Sequence, residues 1–358
     1  MPPAATLPGE KLRNVAGFPA LTLFRMGAPG QPLVVFVTGG GVLARIAYGH
    51  EGAPPTAFLA HWLVAAGYSF LGVSYPLGNA VFPGTYPDFS VQDWALQTAE
   101  LAAGVVAEQG LARRVVVLGW SMAGRIAGPL NLRLQERGLA IELFVAMAAT
   151  PPVPNLLPGL DHLGPTASGL ADAGASFLPW LLQCLHVQNE LSGAELISDA
   201  RFLADYAGDF PVNLAATTLR YRDGRFVPDQ DADCADTGVW DYASFPALAV
   251  MTHDAVVDAR HALSDCANWS LHMIQSLGAR RLWGAGVNLT KLPAASFAAL
   301  CDLVSSVPER LSARIAGTHL FFVGEVGARA TVHALDELRA RERELNATLD
   351  RLLGPPTS

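Results

Sequence analysis

The chain of 358 residues has 24 Lys and Arg against 32 Asp and Glu, a formal net charge of -8, and is 51% hydrophobic and 16% charged. This is a globular composition, large enough for one big core with insertions, and it excludes a disordered polymer. A net negative chain without a Lys/Arg cluster lacks the electrostatic footprint of a polyanion binder, so no nucleic-acid partner is expected.

The first residues, MPPAATLPGEK, have no basic start followed by an apolar run. No secretory signal is read there, and a cytoplasmic location is expected. From residue 32 onward buried strand runs alternate with helical stretches, the pattern of a mostly parallel sheet covered by helices on both faces. Pro32 to Val37 is the first such strand and leads into Thr38-Gly39-Gly40-Gly41. Thr56 to Ala66 reads as a helix and Tyr68 to Tyr75 as a strand. Ser90 to Gln109 is a helix with Ser90 as cap, Asp93 three residues on and Gly110 as its stop. Arg114 to Leu118 and Ile141 to Ala146 follow as central strands, separated by a helix ending near Gly138.

At Thr150 the pattern breaks, and up to about Ser244 the chain is rich in Pro, Gly and Asp without a clear long strand. This stretch reads as a cap, or lid, of residues 151–243 inserted into a core formed by residues 1–150 and 244–358. The sheet resumes at Phe245 to Thr252, and a helix runs through about Leu277. A second insertion, about Ala279 to Arg310, precedes a last strand, Ala313 to Ala316. A charged helix from Val332 to Leu353 closes the chain, with Leu335, Leu338, Leu345 and Leu349 as its packing stripe.

Apolar stretches such as Phe177 to Val187 fall short of the roughly 20 residues a membrane span needs. Cys184, Cys234, Cys266 and Cys301 are far apart with no C-x-x-C pair, which points to reduced thiols rather than a disulfide framework or zinc site. No metal and no cofactor are expected.

Chemistry concentrates at residues 113 to 124, RRVVVLGWSMAG, where an apolar strand runs into Ser121 flanked by small residues and then into a helix. A serine hydroxyl is a weak nucleophile at neutral pH and must be held exposed, beside a base, with donors aimed at the developing oxyanion. A sharp strand-to-helix turn supplies that exposure; a helix-capping serine after a buried strand is the plain alternative. The motif G-x-S-x-G is matched except at its last position, where Ala123 stands with Gly124 after it.

Strand, glycine-rich loop, serine turn, inserted cap, acid after a late strand and histidine after the last strand occur in an order that resembles the α/β-hydrolase superfamily, from about residue 30 to the C-terminus. The resemblance implies a doubly wound α/β sheet with a helical cap and a triad in the order Ser, acid, His. Ser121, Asp254 and His319 take those places. Asp254 is chosen because Thr-His-Asp-Ala-Val-Val resembles the family's acid loop; Asp258 is the nearby alternative. Gly317 and Thr318 fit a mobile loop before His319, and His253 is set aside because its own neighbour could not orient it. His50, His61, His162, His186, His261, His272 and His333 read as solvated or packed, with His162 and His186 as the candidates for a substrate contact. Backbone N–H groups of Met122 and of Gly40 or Gly41 are the expected oxyanion hole. Thr38 stands where the family commonly has His before its glycines. The run is a poor phosphate cradle, since no Lys-Ser or Lys-Thr follows it.

Trp120 beside the serine and Trp180 in the cap are candidate substrate-binding residues, with Leu156, Leu157, Phe177, Leu178, Leu181 and Leu182 as an apolar set suited to an acyl chain. Arg45, Tyr48 and His50 lie just past the glycine loop and are candidates for the pocket lining. The expected function is a serine hydrolase that cleaves an ester or thioester of a largely apolar small molecule through an acyl-serine, acting as monomer or homodimer. A lyase or cyclase on the same triad, or an inert ligand-binding member of the fold, is the alternative.

Overall fold

The computed structural model describes residues 6–156 and 163–353; Leu157 and His162 lie outside them. Strands β1 (Glu10–Val15) and β2 (Phe18–Arg25) form an antiparallel hairpin, followed by β3 (Leu33–Val37), helix α1 (Leu59–Ala65) and β4 (Ser69–Ser74). Next come α2 (Val91–Gln109), β5 (Arg114–Trp120), α3 (Ala127–Glu136) and β6 (Ala140–Met147). The chain then leaves the sheet through α4 (Leu178–Leu191), α5 (Asp199–Asp205), a small hairpin of β7 (Leu219–Arg222) and β8 (Arg225–Pro228), and α6 (Gln230–Thr237). It returns with β9 (Leu248–His253), α7 (Ala259–Arg281), α8 (Ala294–Arg310), β10 (Ser312–Ile315) and α9 (Glu325–Leu353).

The main sheet has eight strands in the order β1-β2-β4-β3-β5-β6-β9-β10, parallel from β4 onward. This is the expected mostly parallel, doubly wound sheet of the α/β-hydrolase fold. Its central strands are buried on both faces, which is why β3 and β5 read as unbroken apolar runs rather than alternating ones. Local signals match the observed ends. Ser90 and Asp93 form a reciprocal capping box on α2, and Gly110 closes that helix at φ 63°, in the left-handed region. Leu335, Leu338, Leu345 and Leu349 of α9 are all buried, and α9 packs against α1, α8 and β10. Among the described residues no helix is long and apolar enough to cross a membrane.

The excursion between β6 and β9 is tied to the sheet layers at two places. Bridges join Val42 to Ala207 and Gly78 to Asp209, beside the glycine loop. Further along, Asp236 accepts the first N–H groups of α2, from Val91 at 3.0 Å and Gln92 at 3.1 Å, and pairs with Arg220 at 2.7 Å. Its neighbour Asp233 pairs with the buried Arg125 at 2.5 Å, in the turn that follows Ser121. The excursion therefore completes a helix cap and an ion pair of the sheet layer itself.

Candidate active site

Strand β5 ends at Trp120, and the next residue, Ser121, has φ 56°. A non-glycine residue there costs on the order of 1–2 kcal/mol, so the surrounding packing must impose the turn. The imposition is visible in its glycines. A Cβ on Gly119 would come within 2.5 Å of the Phe144 ring, and one on Gly39 within 2.7 Å of Ser121 Cβ. A Cβ on Gly124 would overlap the Thr150 carbonyl oxygen, whereas Ala123 is fully buried with its methyl accommodated. The close approach usually served by the last glycine of the motif falls one residue later in this chain.

His319 follows β10 and is almost completely buried. Its Nδ1 lies 2.9 Å from Oδ2 of Asp258, and the same oxygen lies 2.7 Å from Nε2 of His253. Asp258, rather than the expected Asp254, is thus the carboxylate on His319. The physical reason is the path of the chain: after β9 a single 3-10 turn, Val256–Asp258, carries Asp258 back beneath the His319 loop. Asp254 is exposed, and its Oδ1 accepts the Gly317 N–H at 3.1 Å. That bond helps hold the loop, which is not free: the Gly317 carbonyl accepts from Ala255 N–H, and Thr318 bonds through its N–H to Gln188 and through its hydroxyl to the Cys184 carbonyl, both on α4. His253, set aside in the sequence, is fully buried and bonded to the acid.

Burial pushes the Asp258 carboxyl up, but the two imidazole N–H groups outweigh it and hold the acid below the usual carboxylate range. An ionised carboxylate only accepts, so His253 Nε2 and His319 Nδ1 both carry hydrogen. This tautomer leaves His319 Nε2 with a lone pair, and that atom is buried without a hydrogen-bond partner among the described residues. His253, Asp258 and His319 also place one ligand atom each within 4.8 Å of one another. Both contacts to the acid are hydrogen bonds, and a cation there would have to displace the proton from each ring.

Burial lowers the His319 pKa to about 4, against the raising effect of Asp258, with His261 and His253 lowering it further. His272, buried elsewhere, is likewise lowered to about 4 by desolvation. Both rings are neutral in the folded chain where an unfolded histidine, at about 6.5, begins to take up a proton. Their contribution to stability is therefore fully present above pH 6.5 and is lost as pH falls through 4. We expect the midpoint of urea unfolding to drop steadily between pH 6.5 and 4, and the acid limb of kcat/KM to lie near pH 4. An acid limb between pH 6 and 7 would contradict this burial.

Ser121, Met122, Trp120, Gly40, Asp258 and His319 line one cavity of about 230 Å³. For scale, an apolar cavity of roughly 150 Å³ accommodates benzene. The far wall is Phe177, Trp180, Leu181 and Phe210 from the excursion, and the Trp180 ring lies 4.8 Å from the His319 ring. Trp120 lines the cavity, and its Nε1 donates to the His319 carbonyl at 2.9 Å. Arg260 and His261, at the start of α7, complete the wall.

Of the expected oxyanion donors, Met122 and Gly40 line the cavity, but Gly41 does not. The Gly41 N–H donates to the Tyr75 hydroxyl at 2.8 Å, and that hydroxyl donates to the Gly39 carbonyl at 3.0 Å. The glycine loop is therefore pinned from below by one buried phenol, with the Gly40 amide between the two fixed points. Tyr75→Phe should cost about 1–3 kcal/mol, the penalty of a buried donor left unpaired, and should lower kcat more than it raises KM. Chemical denaturation and steady-state kinetics together check this.

Arg45 and Tyr48 are elsewhere. Both bond to the buried carboxylate of Glu10 on β1, Arg45 through Nε at 2.8 Å and Nη2 at 2.7 Å and Tyr48 through its hydroxyl at 2.7 Å. They go inward because an otherwise isolated buried carboxylate needs donors. His50 bonds Tyr206, and His186 pairs with Asp199 on the exposed side of α4. His261, read as packed or solvated, reaches the cavity, with Nδ1 against Asp265 four residues on at 3.0 Å. The i, i+4 spacing of a histidine and an aspartate on one helix was its only signal.

No protein-family model matches the sequence, and no sequence among the curated proteins matches it. Among solved structures the chain is similar to an arylesterase at 10% identity, covering 93% of this chain and 83% of that one with a TM-score of 0.44. It is similar to a soluble variant of monoglyceride lipase from Saccharomyces cerevisiae at 13% identity, over 97% and 96% of the two chains, with a TM-score of 0.48. A thioesterase domain from the curacin biosynthetic pathway is similar at 14% identity, over 92% and 98%, with a TM-score of 0.41.

Proposed function

We propose that this chain is a serine hydrolase that cleaves an ester or thioester of a small, largely apolar molecule through an acyl-Ser121 intermediate. The observation that carries the reading is the coincidence, in one cavity, of a serine held at φ 56° and a neutral imidazole whose Nδ1 is fixed by a carboxylate and whose Nε2 is unsatisfied. A strained serine turn and an orphaned buried nitrogen are both costly, and acyl transfer uses both.

In this reading His319 Nε2 takes the Ser121 proton as Oγ attacks the carbonyl carbon, and returns it to the leaving oxygen or sulfur as the tetrahedral intermediate collapses. Asp258 orients the ring and stabilises the imidazolium while it exists. The amides of Met122 and Gly40 receive the oxyanion. A water then repeats the sequence on the acyl-enzyme, with His319 again the base. Residues 151–243 act as a cap whose Phe177, Trp180, Leu181 and Phe210 hold the apolar part of the substrate.

The test is intact mass after exposure to a fluorophosphonate. One adduct on the wild type that disappears in Ser121→Ala supports an activated serine. A folded wild type that takes up no reagent argues for an inert site.

A further inference from the structure

The cavity is chemically lopsided, and the acyl-transfer reading leaves one side of it unused. Phe177, Leu181, Phe210 and Ala215 supply apolar surface, whereas Arg260 and His261 stand together on another element, the first turn of α7. His261 is over nine-tenths buried, its Nδ1 lies 3.0 and 3.2 Å from the two oxygens of Asp265, and its Nε2 has no hydrogen-bond partner among the described residues. Arg260 is exposed to solvent as well as lining the cavity, and its guanidinium makes no hydrogen bond or ion pair among the described residues. A guanidinium stays charged and presents a rigid fork of donors that matches a carboxylate.

The titratable groups around this wall are Asp258, Asp265, Arg260 and the imidazoles of His253, His261 and His319. Asp258 spends its Oδ2 on two ring N–H groups, and Asp265 faces His261 Nδ1, so neither carboxylate has that oxygen free for the cavity. Burial opposes a charge on His261, but the Asp265 charge and hydrogen bond outweigh it and raise its pKa. The Arg260 guanidinium and His261 Nε2 are thus both without a protein partner among the described residues. The His261 ring lies 4.8 Å from the His319 ring, so an anion received there sits beside the reacting carbonyl.

Resting on the acyl-serine reading, we propose that Arg260 and His261 form a carboxylate-recognition wall, and that the preferred substrates are esters or thioesters bearing a carboxylate near the scissile bond. The apolar wall then holds the hydrocarbon part and the α7 wall the charge.

The experiment compares ethyl hydrogen glutarate with ethyl pentanoate, which share a five-carbon acyl chain and differ in a terminal carboxylate, by proton release in a pH-stat. Wild type should favour the glutarate monoester in kcat/KM by roughly tenfold or more, the scale of a charge-assisted hydrogen bond, and the preference should shrink with added NaCl. Arg260→Gln and His261→Gln should each reduce that preference several-fold. Damage to the fold alone would slow both esters together and leave their ratio in place. A ratio near or below one in the wild type, or one untouched in both variants, overturns the proposal while leaving the serine hydrolase reading intact. If neither ester is turned over and no fluorophosphonate adduct forms, the hydrolase reading fails. Calorimetric binding of the same two esters to Ser121→Ala then decides the wall by itself: tenfold tighter binding of the monoester sustains it, and equal or undetectable binding of the two overturns it.

Discussion

Ser121→Ala is expected to lower kcat by roughly 10⁴-fold or more on any ester the wild type cleaves, since removing a triad nucleophile leaves only the contribution of binding and the oxyanion donors. The fold should survive: the Ser121 hydroxyl makes no hydrogen bond that supports a neighbouring element among the described residues, and the turn is imposed by Gly39, Gly119 and Gly124. A companion variant tests the strain. At φ 56° an alanine keeps the left-handed penalty whereas a glycine does not, so Ser121→Gly should be more stable than Ser121→Ala by about 1–2 kcal/mol. Both should be equally inactive. Turnover retained in the alanine variant would remove Ser121 from the mechanism, and a glycine variant no more stable than the alanine one would mean the turn is unstrained.

The residues that were legible in the sequence share a property: their signals are local. The capping box of α2 needs only Ser90 and Asp93, the serine turn only the run from β5 into Gly124, and the α9 stripe only its own periodicity. The hairpin of β1 and β2 escaped because its turn is Ala16-Gly17, with φ 55° and 88°. The tight turn that joins such strands usually announces itself by Asn-Gly or Asp-Gly, and an alanine there carries no such signal. The rest was hidden because it depends on where separate segments meet. Glu10 on β1 calls Arg45 and Tyr48 away from the cavity, and nothing near residue 45 encodes that. Tyr75 decides which glycine amide is free from 34 residues away. Two aspartates four residues apart were both open as the acid, and a Val-Val step between them does not say which one the chain turns back toward His319.

That last ambiguity has a quantitative resolution. Asp258→Asn should lower kcat by about 10⁴-fold, while Asp254→Asn should change it by no more than about threefold. An asparagine at 258 removes the charge that stabilises the His319 imidazolium, and it brings an amide NH₂ into a place where two ring N–H groups converge. If the amide nitrogen takes that place, His319 must move its proton to Nε2 and ceases to be a base. If the amide oxygen takes it, both hydrogen bonds persist but the imidazolium forms without a counter-charge. Activity collapses either way, and fluorophosphonate uptake should slow in parallel because it needs the same activated hydroxyl. At 254 the asparagine oxygen can still accept from Gly317 N–H, at the edge of the site and in contact with solvent, so the loop keeps its tether. The two variants are nearly isosteric with the wild type, which separates charge from packing. A large loss at 254 with little at 258 would reverse the assignment, and would require the His319 loop to sit differently in the working enzyme than its bonds to Gln188, Cys184 and Asp254 now hold it.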